Sequence, residues 1–346
     1  MRRGINYDTG FLSAGSSTHE PFDSETVRRE MLVIRNDLHC TAVRITGGDA
    51  DRLELAAKHA ADAGLEVWFC PFPNGLTEDT LLAVLADCAD RAERIRRQGA
   101  EVVLLTGSEI SLFTAGFIPG DSLEDRLAII SDPLRLRSII ADVRVRLNGF
   151  LGRAVGTVRA RFHGPVSYAS LPFERVDWGP FDIISTDAAY RSAATKGRFS
   201  ELVRAFVAAG RAQNKPVAIT EFGCMTFRGA ADSATDIHAM VEWDRGRPLR
   251  PKEGYVRDEA EQAADLLDIV HIYETEGVDA AFVYTFARWD LPHRSNPRED
   301  LDVVSCGVVK VLGDAEQSPQ GRDPRYADLG WEPKAAFYAL SDWFSR

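Results

Sequence analysis

The sequence predicts an α/β chain folded as a (β/α)8 barrel. Three observations carry that expectation. A short apolar run followed by a longer amphipathic run recurs from one end of the chain to the other, as it does where parallel strands are joined by helices. About eight such units can be counted, the number a closed barrel requires. The run at 101–106 is almost wholly apolar, as a strand covered on both faces should be. The 346 residues exceed the ~250 of an idealised barrel and leave room for extended loops after the strands.

Residues 4–8 are expected to form the first strand. Residues 23–38 follow as a helix, because Val27, Met31, Ile34 and Leu38 recur near helical spacing. The second strand is 39–46. Asp49 then caps a helix over 49–63, which Gly64 closes. Residues 65–70 make the third strand, and a long helix runs from Thr77 to about Gln98 before Gly99. The fourth strand is 101–106. Residues 122–162 hold at least two helical stretches separated near Pro133, and 165–169 and 181–186 are the fifth and sixth strands. A helix covers 199–213. Residues 216–220 form a β-branched seventh strand followed by an insertion to about Gly254. A helix over 256–276 precedes the eighth strand at 280–286. A polar loop rich in Pro, Gly and Asp spans 288–331, and a final helix begins near Pro333. No shift of composition marks a linker, so 1–346 is read as a single barrel domain.

Composition narrows the function classes. With 45% hydrophobic and 27% charged residues the chain sits near globular averages. A net charge of −11 argues against nucleic acid or an anionic membrane surface as partner. Arg91, Arg94, Arg96 and Arg97 are interleaved with Glu93 and read as the solvated face of a helix. The five cysteines are odd in number and form no CxxC pair, so neither a disulfide framework nor a zinc knuckle is indicated. The first residues carry no apolar export segment, and no run approaches the ~18 apolar residues of a membrane span. A cytoplasmic protein is the expectation, and no motif specifies an oligomeric state.

Barrel enzymes collect their catalytic groups at the carboxyl ends of the strands. The polar residues there are Asn6, Tyr7 and Asp8 after the first strand, Arg44 on the second, and Glu109 after the fourth. Asp187 and Tyr190 follow the sixth, Glu221 the seventh, and Arg288, Trp289, Asp290 and His293 the eighth. Trp68, Phe69 and Phe72 beside Pro71 and Pro73 could line an apolar pocket, although such a run more often belongs to a core. Glu109 and Glu221 each follow an apolar strand directly, and they face each other if the barrel closes. Glycoside cleavage needs two such groups, one holding a proton for the leaving oxygen and one ionised. Their surroundings must then push the two pKa values apart.

A Glu after the fourth strand and Thr-Glu-Phe-Gly at 220–223 resemble the (β/α)8 glycoside hydrolases whose acid/base and nucleophile end strands four and seven. The closing Trp331-Glu-Pro-Lys-Ala-Ala-Phe-Tyr-Ala-Leu resembles their tail. The resemblance implies Glu109 as proton donor and Glu221 as nucleophile, with Arg44 and Tyr190 holding Glu221 and Trp289 forming the floor under a sugar ring. It implies a carbohydrate or other small-molecule substrate, no cofactor and no metal. Asn6, Tyr7, Asp8, Trp68 and Asp187 complete the expected substrate-binding set. One departure stands out: where those enzymes usually place Asn before the acid/base Glu, this chain has Ser108. Two other readings remain open. A metal-dependent barrel lyase, isomerase or hydrolase would draw ligands from Glu109, Asp187, Glu221, Asp290 or His293. A non-catalytic barrel would serve as a binding or phage-defence-related module through its long loops.

Overall fold

The computed structural model describes residues 1–13, 15–187, 190–233, 237–244, 247–316 and 322–346. Eight parallel strands form the ring: β1 (Arg2–Asp8), β2 (Ala42–Gly47), β3 (Glu66–Pro71), β4 (Val102–Ser108), β5 (Val166–Ala169), β6 (Ile184–Thr186), β7 (Val217–Phe222) and β8 (Ala280–Val283). Hydrogen-bonded ladders run from β5 through β4, β3, β2, β1, β8 and β7 to β6. The ring is joined between β5 and β6 by a single bridge, Ser170 to Thr186. Hydroxyls supplement that joint: Ser167 Oγ donates to the Ile183 carbonyl at 3.0 Å, and Ser170 Oγ to the Ser185 carbonyl at 2.8 Å. The protein is a (β/α)8 barrel, as its repeat pattern predicts.

The helices on the outside are α1 (Ser24–Asn36), α2 (Ala50–Asp62), α3 (Glu78–Arg97), α4 (Pro133–Arg159), α5 (Phe199–Ala212), α6 (Glu259–Glu276) and α7 (Ala335–Phe344). Short polar side chains start α1 to α4 and α6, because the first amides of a helix lack internal acceptors. Asp23 accepts from Thr26 N at 2.8 Å, Asp49 from Asp51 N at 2.8 Å and Asp258 from Glu261 N at 3.0 Å. The break expected near Pro133 is real and separates α4 from the helix Leu123–Ile130. No helix lies between β5 and β6: residues 170–183 cross as an irregular loop. The insertion after β7 holds an antiparallel hairpin, Val241–Asp244 with Arg247–Pro251. In the loop after β8, Val309–Val311 pairs with Trp331–Pro333, while residues 317–321 lie outside the described residues. No helix among the described residues is long and apolar enough to cross a membrane.

Strand alternation divides the core in two. Outward residues such as Ile5, Val43, Val67, Leu104 and Val166 pack against the helices. Inward residues form a separate cluster that includes Ala42, Trp68, Cys70, Val103, Leu105, Ala169, Ala218, Ala280 and Phe282. This interior pairs small with large. The Trp68 and Phe282 rings lie 4.7 Å apart, and a Cβ at Gly4 would meet Phe282 Cδ1 at 2.3 Å.

This alternation corrects two of the expected site residues. Trp68 is buried in the barrel interior, where its Nε1 donates to Glu66 Oε1 at 2.9 Å. It belongs to the amino-terminal half and does not reach the mouth. Tyr7 points outward between β1 and α1, because its neighbour Asn6 points in, and its hydroxyl donates to Glu30. Trp331 is fully buried and donates to the same carboxylate at 2.7 Å. Lys334 Nζ, also fully buried, reaches Asp302 at 2.9 Å and Thr226 Oγ1 at 2.8 Å. The tail is therefore a structural fastening of the loops after β7 and β8.

Candidate active site

Arg44 rises inside the barrel from β2 and is fully buried. A guanidinium in such a place needs acceptors for its donors; both terminal nitrogens of Arg44 have them, while its buried Nε has no partner among the described residues. Nη1 lies 3.0 Å from Asn6 Oδ1, 3.2 Å from the Thr220 carbonyl and 3.3 Å from Glu221 Oε1. Nη2 lies 3.0 Å from Ser108 Oγ and 3.2 Å from Asp187 Oδ2. One side chain thus ties together the ends of β1, β4, β6 and β7. Asn6 is likewise buried, and its Nδ2 donates to the Thr220 carbonyl at 3.0 Å. It supports Arg44 instead of facing the mouth.

Glu221 stands near the end of β7 with 14% of its side chain exposed. Its second oxygen accepts from the Tyr190 hydroxyl at 3.3 Å. Glu109 follows β4 at an irregularity: the pairing of β4 with β5 shifts register between Leu105 and Ser108, and Gly107 takes φ +122°. A Cβ at Gly107 would also lie 3.1 Å from Ile110 Cδ1, so the position favours glycine twice over. Glu109 itself is left-handed, at φ 47° and ψ 41°. For a residue other than glycine such a conformation costs roughly 1–3 kcal/mol and persists where the surroundings hold it. Its carboxylate makes no hydrogen bond or ion pair to another described residue and is partly open to solvent.

Oxygens of Glu109, Asp187 and Glu221 all come within 4.8 Å of one another. Burial, then the charges of Asp187, Glu221 and Glu174, hold the Glu109 carboxyl well above the ordinary carboxylate range, against a smaller pull from Arg44. Burial and Asp187 also push Glu221 up, to about 8, while Arg44 and Tyr190 pull it down. Glu221 has a cation in contact and Glu109 has none among the described residues, so of the two Glu109 holds its proton the more firmly. Three carboxylates could also surround a cation. The Arg44 guanidinium already supplies positive charge to two of them, so they are not assigned as metal ligands.

The remaining expected residues fall around this centre with altered roles. Asp187 is fully buried and receives Ser108 Oγ as well as Arg44, so it anchors the cluster from below. Ser108 is buried in that contact and presents no amide to a ligand. Asp8 is a loop anchor, accepting from Gly10 N at 2.8 Å and from the Thr18 hydroxyl. Trp289 stacks on His19 with centroids 4.9 Å apart and 10° between planes, at the rim beside the β1 loop. Asp290 forms a two-bond pair with Arg288 at 2.7 and 2.8 Å. His293 lies 3.0 Å from Asp300 and 3.3 Å from Arg257, so neither joins the three carboxylates.

Two further residues, absent from the expected set, stand beside the centre. Cys70 on β3 places Sγ 3.5 Å from Arg44 Nη2. Tyr284, half-buried just past β8, takes a bond from Arg288 Nη1 at 3.3 Å. Its backbone carbonyl and the Tyr190 ring both pack on Gly223, two residues after Glu221. A hydroxyl-bearing residue within the apolar run 280–286 was the available signal for Tyr284. Nothing in the sequence around Cys70 marks it.

No family model matches the chain, and no curated protein matches it in sequence. Solved structures match it in fold. A GH113 β-mannanase from Alicyclobacillus acidocaldarius superposes with a TM-score of 0.59 at 15% identity, over 99% of this chain and 96% of that one. A β-glucuronidase from Parabacteroides merdae gives 0.55 at 14% identity over 100% of this chain, which spans 38% of that one. An endo-1,4-β-D-mannanase from Thermotoga petrophila gives 0.51 at 9% identity, over 100% and 99%. The fold expected from the resemblance is the fold observed.

Proposed function

We propose that this chain cleaves or transfers a glycosidic bond, with Glu109 as acid/base and Glu221 as nucleophile. The observation that carries the proposal is the convergence of these two side chains, remote in sequence, to within 4.8 Å across the barrel mouth. That spacing suits retaining glycosidases, whose carboxyl groups stand about 5–5.5 Å apart, better than inverting ones at about 6.5–9.5 Å. The neighbours in fold are a mannanase, a glucuronidase and a second mannanase by name, and a β-linked sugar is the corresponding substrate class.

In this reading Glu221 attacks the anomeric carbon while Glu109 gives its proton to the departing oxygen. Glu109, then ionised, takes a proton from the water that releases the sugar from Glu221. Arg44 and Tyr190 direct the Glu221 carboxylate and favour its ionised form. The missing Asn before Glu109 removes one expected contact to the sugar, so recognition of the ring falls on other groups at the mouth.

Changing Glu221→Gln should abolish turnover of every β-glycoside the wild type cleaves, with circular dichroism unchanged. Surviving activity on those substrates would sink the assignment. Proton NMR of the first-formed sugar should show the anomer of the substrate. Metal analysis of dialysed protein separates the lyase or isomerase alternative, which requires a stoichiometric divalent ion.

A further inference from the structure

The helix-free connection between β5 and β6 delivers Glu174 to a fully buried position. No cation among the described residues pairs with it. Its carboxylate is instead met by Ser111 N at 3.2 Å, by Leu171 N at 2.8 Å and by the Tyr168 hydroxyl at 2.9 Å to each oxygen. Tyr168, outward-facing on β5 and also fully buried, accepts in turn from Ile110 N at 2.8 Å. Ile110 and Ser111 are the two residues after Glu109. Their amides open a short helical turn and have no acceptor within it. On its other side Glu109 N donates to the Ala169 carbonyl at 2.9 Å. The left-handed residue is therefore gripped before and after.

We propose that Glu174, acting through Tyr168, is a positioning residue for Glu109: the pair holds the two amides that follow it and so fixes the turn that aims its carboxyl at the mouth. The inference rests on the reading of Glu109 as proton donor. It also has an electrostatic side. The charged groups facing Glu109 are Asp187, Glu221 and Glu174, which favour its protonated form, and Arg44, which opposes them. Arg44, Asp187 and Glu221 are in contact with one another, and Glu174 is the one group that touches none of them. Burial pushes its own carboxyl up to about 7, so above neutrality it presents a full negative charge behind the donor.

The test compares Glu174→Gln and Tyr168→Phe with wild type, using protein carrying carbon-13 at the glutamate carboxyls and Glu109→Gln for assignment. In Glu174→Gln the Glu109 titration midpoint should fall. The basic limb of kcat/KM should move to lower pH with it, since a general acid is lost as pH rises through its pKa. Hydrolysis of phenyl β-mannoside, which needs the acid, should drop roughly tenfold in both variants, a fraction of the ~10²–10⁴ that general acid catalysis supplies. Hydrolysis of dinitrophenyl β-mannoside, whose leaving group needs little protonation, should change little. An unmoved Glu109 midpoint together with equal losses on the two mannosides would overturn the proposal. If the midpoint falls in Glu174→Gln while Glu109→Gln itself leaves the ratio of the two mannosides unchanged, the coupling stands and the proton-donor assignment fails. Tyr168→Phe keeps the ring in place, so it decides the matter if Glu174→Gln does not fold.

Discussion

At the scale of single residues the site is organised by Arg44, which touches both Asp187 and Glu221. Arg44→Met would leave two acids facing each other without a cation, and breaking a buried pair in this way costs about 3–5 kcal/mol. Thermal unfolding at neutral pH should show the loss. Glu30 makes a second prediction. It is fully buried with Tyr7 and Trp331 as its partners, and burial pushes it up to about 7. A carboxyl raised in the folded state contributes stability below its unfolded pKa and loses it as pH rises through the folded value. Stability should therefore decline between about pH 4.5 and 7, by up to about 3 kcal/mol from Glu30 alone, and Glu30→Gln should flatten that decline. Legibility at this scale was uneven. Glu109 and Glu221 stood out because a charge closing an apolar strand has few other reasons to be there, whereas Arg44 and Tyr190 came with the resemblance. Tyr7 could not be placed by adjacency to Asn6, since successive strand residues face opposite ways. Glu174 lies in an unpatterned loop, and only the fold shows what it holds.

At the scale of elements, the strands and most helices were legible, because their apolar spacing and capping residues are local signals. The connection between β5 and β6 was not, as nothing in 170–183 declares a helix or its absence. The hairpin after β7 was not read either, because the alternation of Val241-Glu-Trp-Asp spans four residues only, too few to declare a strand. Packing inside the ring yields a third prediction. Gly4→Ala would drive a methyl into the Phe282 ring, and such overpacking costs typically about 1–3 kcal/mol. Phe282→Leu in the same chain should recover part of that loss in chemical denaturation, whereas Phe282→Leu alone should destabilise. The tail fastening makes a fourth. Lys334→Met leaves Asp302 buried with Arg257 as its remaining cation, 2.9 Å away, and should lower the melting temperature without moving the Glu109 midpoint.

At the scale of the whole molecule, the count of βα units sufficed to name the barrel, because eight parallel strands have one closed solution that buries both faces of every strand. The ring is not uniform, however. Glu109 follows β4 and Glu221 lies near the end of β7, so the joint between β5 and β6, held by one bridge, a few hydroxyls and the contacts of Asp182 with the Val166 backbone, lies between the two halves that carry them. Ser108 and Asp187 reach across it. A ring with one lightly laced seam breathes there first, and backbone amides of Val166–Ala169 and Ile184–Thr186 should exchange with deuterium sooner than those of the opposite wall. Each such excursion would part the two acids, so the lifetime of the closed seam sets how long the pair stays within reach of one bond.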